Sequence, residues 1–552
     1  MPIALVWPGS YASGMSSLGF LSVYSLAASR PDFAVERFFY SPGALPLSFE
    51  SRRPLSDFPV IAASLSFEND YWILWDLLRS AGVRAPDEES REGCLIAAGG
   101  VALWANPFPL LPILDAVLTG EGELSFADFL DLVSSRGFLE LPRREALELI
   151  SSRVRGALVP ELLPRDLRFS QGELFKKALA SFSPVEAPRL PFPFPPSIPP
   201  PHSPIHTLDA EFSGMKLVEI SRGCPYGCRF CLAGSLYRPH RPWPVERILQ
   251  ALSLPNPWDR EPVFPADAPV GLVSAAAADH PGFKELLERL IGEGRRVSVS
   301  SLRLSALNPE IAALLARGRV KGVALAPEAG SQRLRDVVNK NMTENDILEA
   351  VKTLALAGVG NVKLYFMAGL PQETDDDLLA VRDLAEKILS VFKGKSRSPR
   401  LKISAGYFIP KPHTPFEDEP VPKERDMRRK GELLKKLLGP LPGAELRLAS
   451  PAESLVQSLL SRGGPESFTL VDCMRIMKGK PKAALKFYGY REDDEEEKRD
   501  PEIRPWRAIR TGPGEISLAR EKEKSLTGAS TAPCPEELFC SRCQACETLE
   551  NS

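Results

Sequence analysis

No uninterrupted apolar run of about 20 residues occurs in this chain, which excludes an ordinary membrane-spanning helix. An excess of one charge is also lacking: 69 Lys and Arg face 71 Asp and Glu, for a formal charge of -2. No global basic field therefore gathers nucleic acid, although a local patch remains open. The opening MPIALVWPGS has no basic stretch ahead of a long apolar one, so it does not read as a secretory signal, and a cytoplasmic location is the expectation. Cysteine is sparse and uneven. Seven of the nine copies fall into two clusters, which argues against a dispersed disulfide framework and for metal sites in a reducing compartment. With 43% hydrophobic and 25% charged residues, the 552-residue chain has room for two substantial globular domains and appendages.

Residues 1–150 alternate short apolar runs with longer mixed segments, the pattern of a parallel sheet covered by helices, here read as a Rossmann-like domain. Strands are expected at Ile3–Trp7, Val60–Ser66, Cys94–Ala98 and Ala116–Leu118, with a turn and helix start over Gly9–Phe20. A helix should follow Gly120-Glu121-Gly122-Glu123 through about Leu132. Residues 151–210 are a helical and proline-rich linker; its LPFPFPPSIPPPHSP stretch reads as a semi-rigid extended connector, because proline lacks an amide donor. Residues 211–422 return to strand–helix alternation, with strands expected at Leu217–Ile220, Val270–Ser274, Val297–Leu302, Gly322–Ala326, Val362–Met367 and Ile403–Phe408. Six such units suggest a partial (β/α)6 barrel with its chemistry at the carboxyl-terminal rim. Residues 423–552 form a C-terminal helical region, starting with an amphipathic helix at Lys423–Leu438 and ending in a cysteine-rich tail. EDDEEEKRDPE near residue 492 reads as a solvated connection.

Cys224, Cys228 and Cys231 have C-x3-C-x2-C spacing in a loop directly after the first expected barrel strand. Three thiolates can hold three irons of a 4Fe–4S cube and leave the fourth iron open to the amino and carboxylate groups of S-adenosylmethionine. Phe230 would pack on the adenine or shield the cluster. A zinc site is the alternative, but the neighbourhood supplies no obvious fourth ligand.

With these residues the chain resembles the radical S-adenosylmethionine superfamily. ALAPEAGSQRLRDVVNKNM at Ala324–Met342 and LYFMAGLPQET at Leu364–Thr374 extend the likeness over about Met215–Phe416. GYFIPKPHTPF at Gly406–Phe416, with Asn106–Pro107 and Gly120–Glu123, is similar to a branch with a cobalamin-binding-like domain ahead of the radical domain. The tail is similar to a fused branch with additional closing cysteines. The resemblance implies reductive cleavage of S-adenosylmethionine to a 5′-deoxyadenosyl radical, fed by a reducing electron donor such as flavodoxin or ferredoxin. Where the family commonly has a Gly-Gly-Glu-like strand ending, this chain reads SAAAADHP at Ser274–Pro281, leaving Asp279 as a substitute contact. Glu328 is a candidate for a ribose or amino-acid contact, and Arg333 for a carboxylate partner, with a helix-start salt bridge as the plainer role. Gly369 would shape the turn near adenine, or simply turn the loop.

The same resemblance implies cobalamin against loops containing Gly9, Ser10, Gly14, Gly99, Gly100, Gly120 and Gly122, where small residues permit close approach. Those positions equally suit a chain that only has to turn. The five histidines, His202, His206, His240, His280 and His413, all lie outside the N-terminal domain, so the D-x-H-x-x-G cobalt-ligating sequence is absent. Cys534, Cys540, Cys543 and Cys546 can complete an auxiliary 4Fe–4S cluster or a tetrahedral zinc site. Cys94, in an apolar strand, and the isolated Cys473 do not read as ligands. The expected reaction is cobalamin-dependent methyl transfer to an unactivated carbon, with a small molecule as the expected substrate; the alternatives are sulfur insertion or methylthiolation of RNA or a small molecule, or another radical rearrangement without cobalamin.

Overall fold

A computed structural model describes residues 1–83, 94–255, 264–299, 302, 307–320, 322–392, 400–491, 500, 502–535, 540 and 542–546. Most of the acidic stretch near residue 492 lies outside the described residues.

The N-terminal sheet contains β1 (Pro2–Trp7), β2 (Ala34–Phe39), β3 (Val60–Ser64), β4 (Leu95–Gly99), β5 (Ala116–Leu118) and β6 (Ala157–Leu158). Its order is β2-β1-β3-β4-β5-β6, parallel except where β6 closes antiparallel on β5. The strands are nearly continuous apolar runs because both faces are covered. Ile3, Leu5, Val60 and Ala62 enter one core, while Ala4, Val6, Ile61 and Ala63 enter the other. β2 and β6 extend the four-strand expectation. β2 lacks a clean apolar pattern because Glu36 and Arg37 are themselves buried; Arg37 is neutralised by Glu50 at 2.6 Å.

The second half contains β7 (Lys216–Glu219), β8 (Val270–Val273), β9 (Val297–Val299), β10 (Gly322–Glu328), β11 (Asn361–Ala368), β12 (Arg400–Tyr407) and β13 (Ala444–Leu448). They form two parallel sheets, β9-β8-β7 and β10-β11-β12-β13. Leu302 N–H donates across the junction to Ala324 O at 3.4 Å. Alternate residues of β10 and β11 point into one large core, as a period of two requires. All six expected barrel strands appear; residues 300 and 301 of the third lie outside the described set. β13 adds a seventh parallel strand beyond the helix Glu424–Leu438, in a region expected to be helical.

The proline-rich segment does not behave as a simple spacer. Pro188 O accepts from Glu121 N–H at 2.9 Å, and Leu190 N–H donates to the Glu121 carboxylate at 2.9 Å. Between them, buried Arg189 donates to Arg238 O at 2.6 Å, Thr511 Oγ1 at 3.1 Å and Ala545 O at 3.3 Å. This strap binds the N-terminal sheet, the barrel and the tail at one crossing. Gly120 is required there: its φ is +77°, and an added Cβ would lie 2.3 Å from Pro188 O. Gly120→Ala should therefore cost about 1–3 kcal/mol, measured as a lower urea midpoint of the apoprotein.

Candidate active site

A cavity of about 410 Å³ lies between the carboxyl edge of the N-terminal sheet and the rim of β7 and β8. Ala62, Ala63, Ala97 and Ala98 supply a floor of small side chains, and Ser64 and Ser66 continue it. Across from them, Arg222, Gly223, Ala233 and Tyr237 bring the base of the cysteine loop to the same space.

Gly99, Gly100, Gly120 and Gly122 also line the cavity, whereas Gly9, Ser10 and Gly14 are absent from its wall. Gly100, at φ +112°, would place a Cβ 2.2 Å from Leu65 O, so its lack of a side chain serves chain packing. Ser10 caps a short helix by accepting from Ser13 N–H at 3.2 Å. Added Cβ atoms on Gly9 and Gly14 would run into Trp7 and Phe39, respectively.

A buried charge network joins the two walls. Arg222 reaches Glu219 at 2.8 Å, Glu123 at 2.6 Å and Glu121 at 3.0 Å. Arg241 also pairs with Glu121 and donates to Leu190 O at 2.8 Å. Burial alone would raise the Glu121 pKa, but Arg241 and Arg222 overcome it and hold the carboxyl below its usual range. Burial wins at Glu219, whose pKa is raised despite Arg222. Glu219 and Glu123 both face the cavity. The links to Glu121 and Glu123 were not signalled by residue spacing, because those partners come from the N-terminal domain, whereas Glu219 lies three residues before Arg222.

Beyond Arg222, Cys224, Cys228 and Cys231 occupy one half-buried loop, none of them in a disulfide. Cys231 caps the helix Leu232–Leu236, its Sγ accepting from Gly234 N–H at 3.3 Å. Burial, followed by Cys228, raises its thiol pKa. Among the described residues, no three metal-ligating side chains converge on one ion. A cube makes a different demand, since it takes each thiolate at a separate iron; three cysteines outside any disulfide on one loop suit that donor set.

Phe230 packs toward Leu334, Val338, Leu370 and Phe408. Lys340 Nζ lies 6.0 Å from its ring centre and 3.1 Å from Glu328. Glu328 has φ +66°, a left-handed conformation rare for a non-glycine residue, at a register shift in β10. The cation beside Glu328 is thus Lys340, which the sequence reading did not select. Arg333 instead pairs with Asp377 and donates to Gln372 O at 2.9 Å, the helix-start arrangement named as its plainer role. Asp279 accepts from Tyr226 OH, tying the altered SAAAADHP segment to the cysteine loop. Gly369, at φ +85°, donates its N–H to Glu373 at 2.8 Å and shapes a turn against Pro422.

The tail lies against this loop. Cys534 N–H donates to Pro225 O at 2.6 Å, and Arg238 reaches Cys543 Sγ at 3.9 Å while donating to Tyr226 O at 2.6 Å. Cys228 shares a cavity of about 200 Å³ with Cys534, Cys540 and Cys543; Cys546 is buried nearby in sequence. Cys473 is buried in the helix Phe468–Ile476, and Cys94 is half-buried just ahead of β4.

The ionised Glu121 contributes stability that is present above its unfolded pKa, about 4.3, and lost as pH falls through that value towards the lower folded one. The urea midpoint should drop across this window, and Glu121→Gln should flatten the dependence.

Residues 218–385 match the family described as the radical SAM superfamily, and residues 19–160 match the one described as radical SAM proteins, N-terminal. An uncharacterised protein of Methanocaldococcus jannaschii is 26% identical over 84% of this chain and 88% of its own length. An uncharacterised methyltransferase of Pyrococcus horikoshii is 26% identical over 50% of this chain and 54% of its own. Among solved structures, the cobalamin-dependent S-adenosylmethionine radical enzyme OxsB with aqua-cobalamin bound aligns at a TM-score of 0.45 and 15% identity, over 90% of this chain and 71% of that one. Together with the cysteine loop at the end of the first barrel strand, the two matched segments make this chain an enzyme of the radical SAM superfamily.

Proposed function

We propose that the chain transfers a methyl group to an unactivated carbon, with cobalamin held in the cavity between the N-terminal sheet and the barrel rim. The observation that carries this reading is the place of the cavity. One wall is the carboxyl edge of a parallel sheet, where open α/β folds take ligands, and the other is the base of the cysteine loop. The alanine and serine floor leaves space for a broad ring, and the absence of histidine from the N-terminal domain means that the cobalt would take no imidazole from it. The name of the similar Pyrococcus horikoshii protein, a methyltransferase, points the same way.

Cobalamin would supply the transferable methyl group, while the cluster and S-adenosylmethionine supply the radical. The protein's part is to bind and orient. Glu328 and Lys340 offer a polar pair beside Phe230, suited to the charged aminoacyl end of S-adenosylmethionine. Arg222 fixes the base of the loop relative to the N-terminal sheet, so that the two reacting groups face a single space. The substrate proposed is a small molecule, since the chain has no excess of basic residues to gather RNA.

Reconstituted protein should retain a corrin absorption band after desalting and move labelled methyl from S-adenosylmethionine to product. Ser66→Trp should lose the corrin while still producing 5′-deoxyadenosine. Product carrying sulfur in place of methyl, or protein that retains no corrin, would sink this reading.

For the tail we propose a second iron–sulfur cluster on Cys534, Cys540, Cys543 and Cys546. Its support is the cavity shared with Cys228 and the cation Arg238 beside Cys543, a setting suited to an anionic redox centre. Cys540→Ala/Cys543→Ala should lose iron and sulfide by elemental analysis; loss of zinc alone would replace the cluster with a structural zinc site.

A further inference from the structure

Arg238 follows the short helix Leu232–Leu236 that Cys231 caps, and its guanidinium turns back over the cysteine loop. Nε donates to Gly234 O at 3.0 Å and one terminal nitrogen to Tyr226 O at 2.6 Å. The other terminal nitrogen reaches Cys543 Sγ of the tail at 3.9 Å. Gly227 of the loop lies so close beneath that an added Cβ would stand 3.3 Å from the guanidinium. Cys224 on the loop and Cys534 and Cys543 on the tail are all within its electrostatic reach. It lines one cavity with Cys228, Cys534, Cys540 and Cys543.

Two carbonyls hold this side chain in place, and neither neutralises it. Among the described residues no carboxylate pairs with Arg238, so the anions nearest its charge are those that the cysteines supply on binding metal. Three thiolates leave a 4Fe–4S cube net negative, and four do the same for a second cube or for zinc. Two anionic centres in one partly buried region repel each other, and an electron added to either increases the repulsion. A cation between them offsets it. Buried Arg189 keeps that cation in register, donating to Arg238 O at 2.6 Å and to Ala545 O in the tail at 3.3 Å.

We propose that Arg238 is a positioning residue shared by the two cysteine sets: it docks the tail against the loop, and its charge makes the loop cluster easier to reduce than an uncompensated tail centre would allow. This rests on a metal being held by both sets. It applies to iron–sulfur and zinc in the tail alike, and is independent of cobalamin and methyl transfer.

The experiment is an EPR-monitored redox titration of anaerobically reconstituted full-length protein, without S-adenosylmethionine, cobalamin or substrate, following the signal that Cys224→Ala/Cys228→Ala removes. Arg238→Gln should lower the equilibrium constant for one-electron reduction of the loop cluster about tenfold, a midpoint about 59 mV more negative. Arg238→Lys, which keeps the charge but loses the fork, should stay close to the parent. Cys540→Ala/Cys543→Ala leaves Arg238 to the loop alone and should move the midpoint the opposite way, a second measurement should Arg238→Gln load poorly. A side chain acting only as a staple would lower the urea midpoint in both Arg238 variants and leave the loop potential in place. Unmoved potentials, or equal shifts for Gln and Lys, would overturn the proposal. Iron, zinc and sulfide in the parent are measured first: a tail without metal would sink the metal reading, and the proposal with it, before any potential is recorded.

Discussion

Arg222 stands two residues before Cys224, with its guanidinium enclosed by Glu219 from its own strand end and by Glu121 and Glu123 from the N-terminal sheet. Paired charges in a buried setting tolerate little displacement, because withdrawing one leaves the others desolvated and uncompensated. The angle at which the cysteine loop leaves β7 is consequently fixed by a domain that contributes no cysteine to that loop. Arg241 doubles the restraint by pairing with the same Glu121. These pairs thus set the shape of the open space between the N-terminal sheet and the cysteine loop.

Local pattern carried much of the fold. The apolar runs of β1, β3, β4 and β5 reveal themselves because both sheet faces are buried, and the alternation of β10 and β11 because one face is. β2 was hidden by Glu36 and Arg37, whose burial is made tolerable by Ser51 and Glu50, 15 and 13 residues further on. The cysteine loop was legible for a chemical reason, since few tasks require three thiols at that spacing. Lys340 was not, because only the turn after the helix Gln332–Val337 returns it to Glu328 and Phe230. Arg333, closer to Glu328 in sequence, is carried to Asp377 instead.

The family-like segments also do mechanical service. His413, in PHTPF, bonds through Nε2 to Ala105 O at 3.1 Å, and burial holds its pKa down at about 3, so it stays a neutral link. Lys411 pairs with Glu68 at 2.6 Å. Asn106 in turn donates to Ser461 O and Gly463 O at 3.2 and 2.8 Å. Residues that mark the branch are thus fastenings between its parts, and Phe416 at the end of the same segment reaches the cysteine loop itself, its N–H donating to Arg229 O at 3.3 Å.

The Arg189 strap bears on how the molecule is assembled during synthesis. Its guanidinium takes one partner at Thr511 and another at Ala545, 322 and 356 residues further on. Contacts of such separation form late, after the loops between them have closed. The nascent chain therefore passes through a stage in which the barrel can form while the cysteine loop is still bare. On the iron–sulfur reading, iron and sulfide would reach the loop in that interval, before the tail covers it.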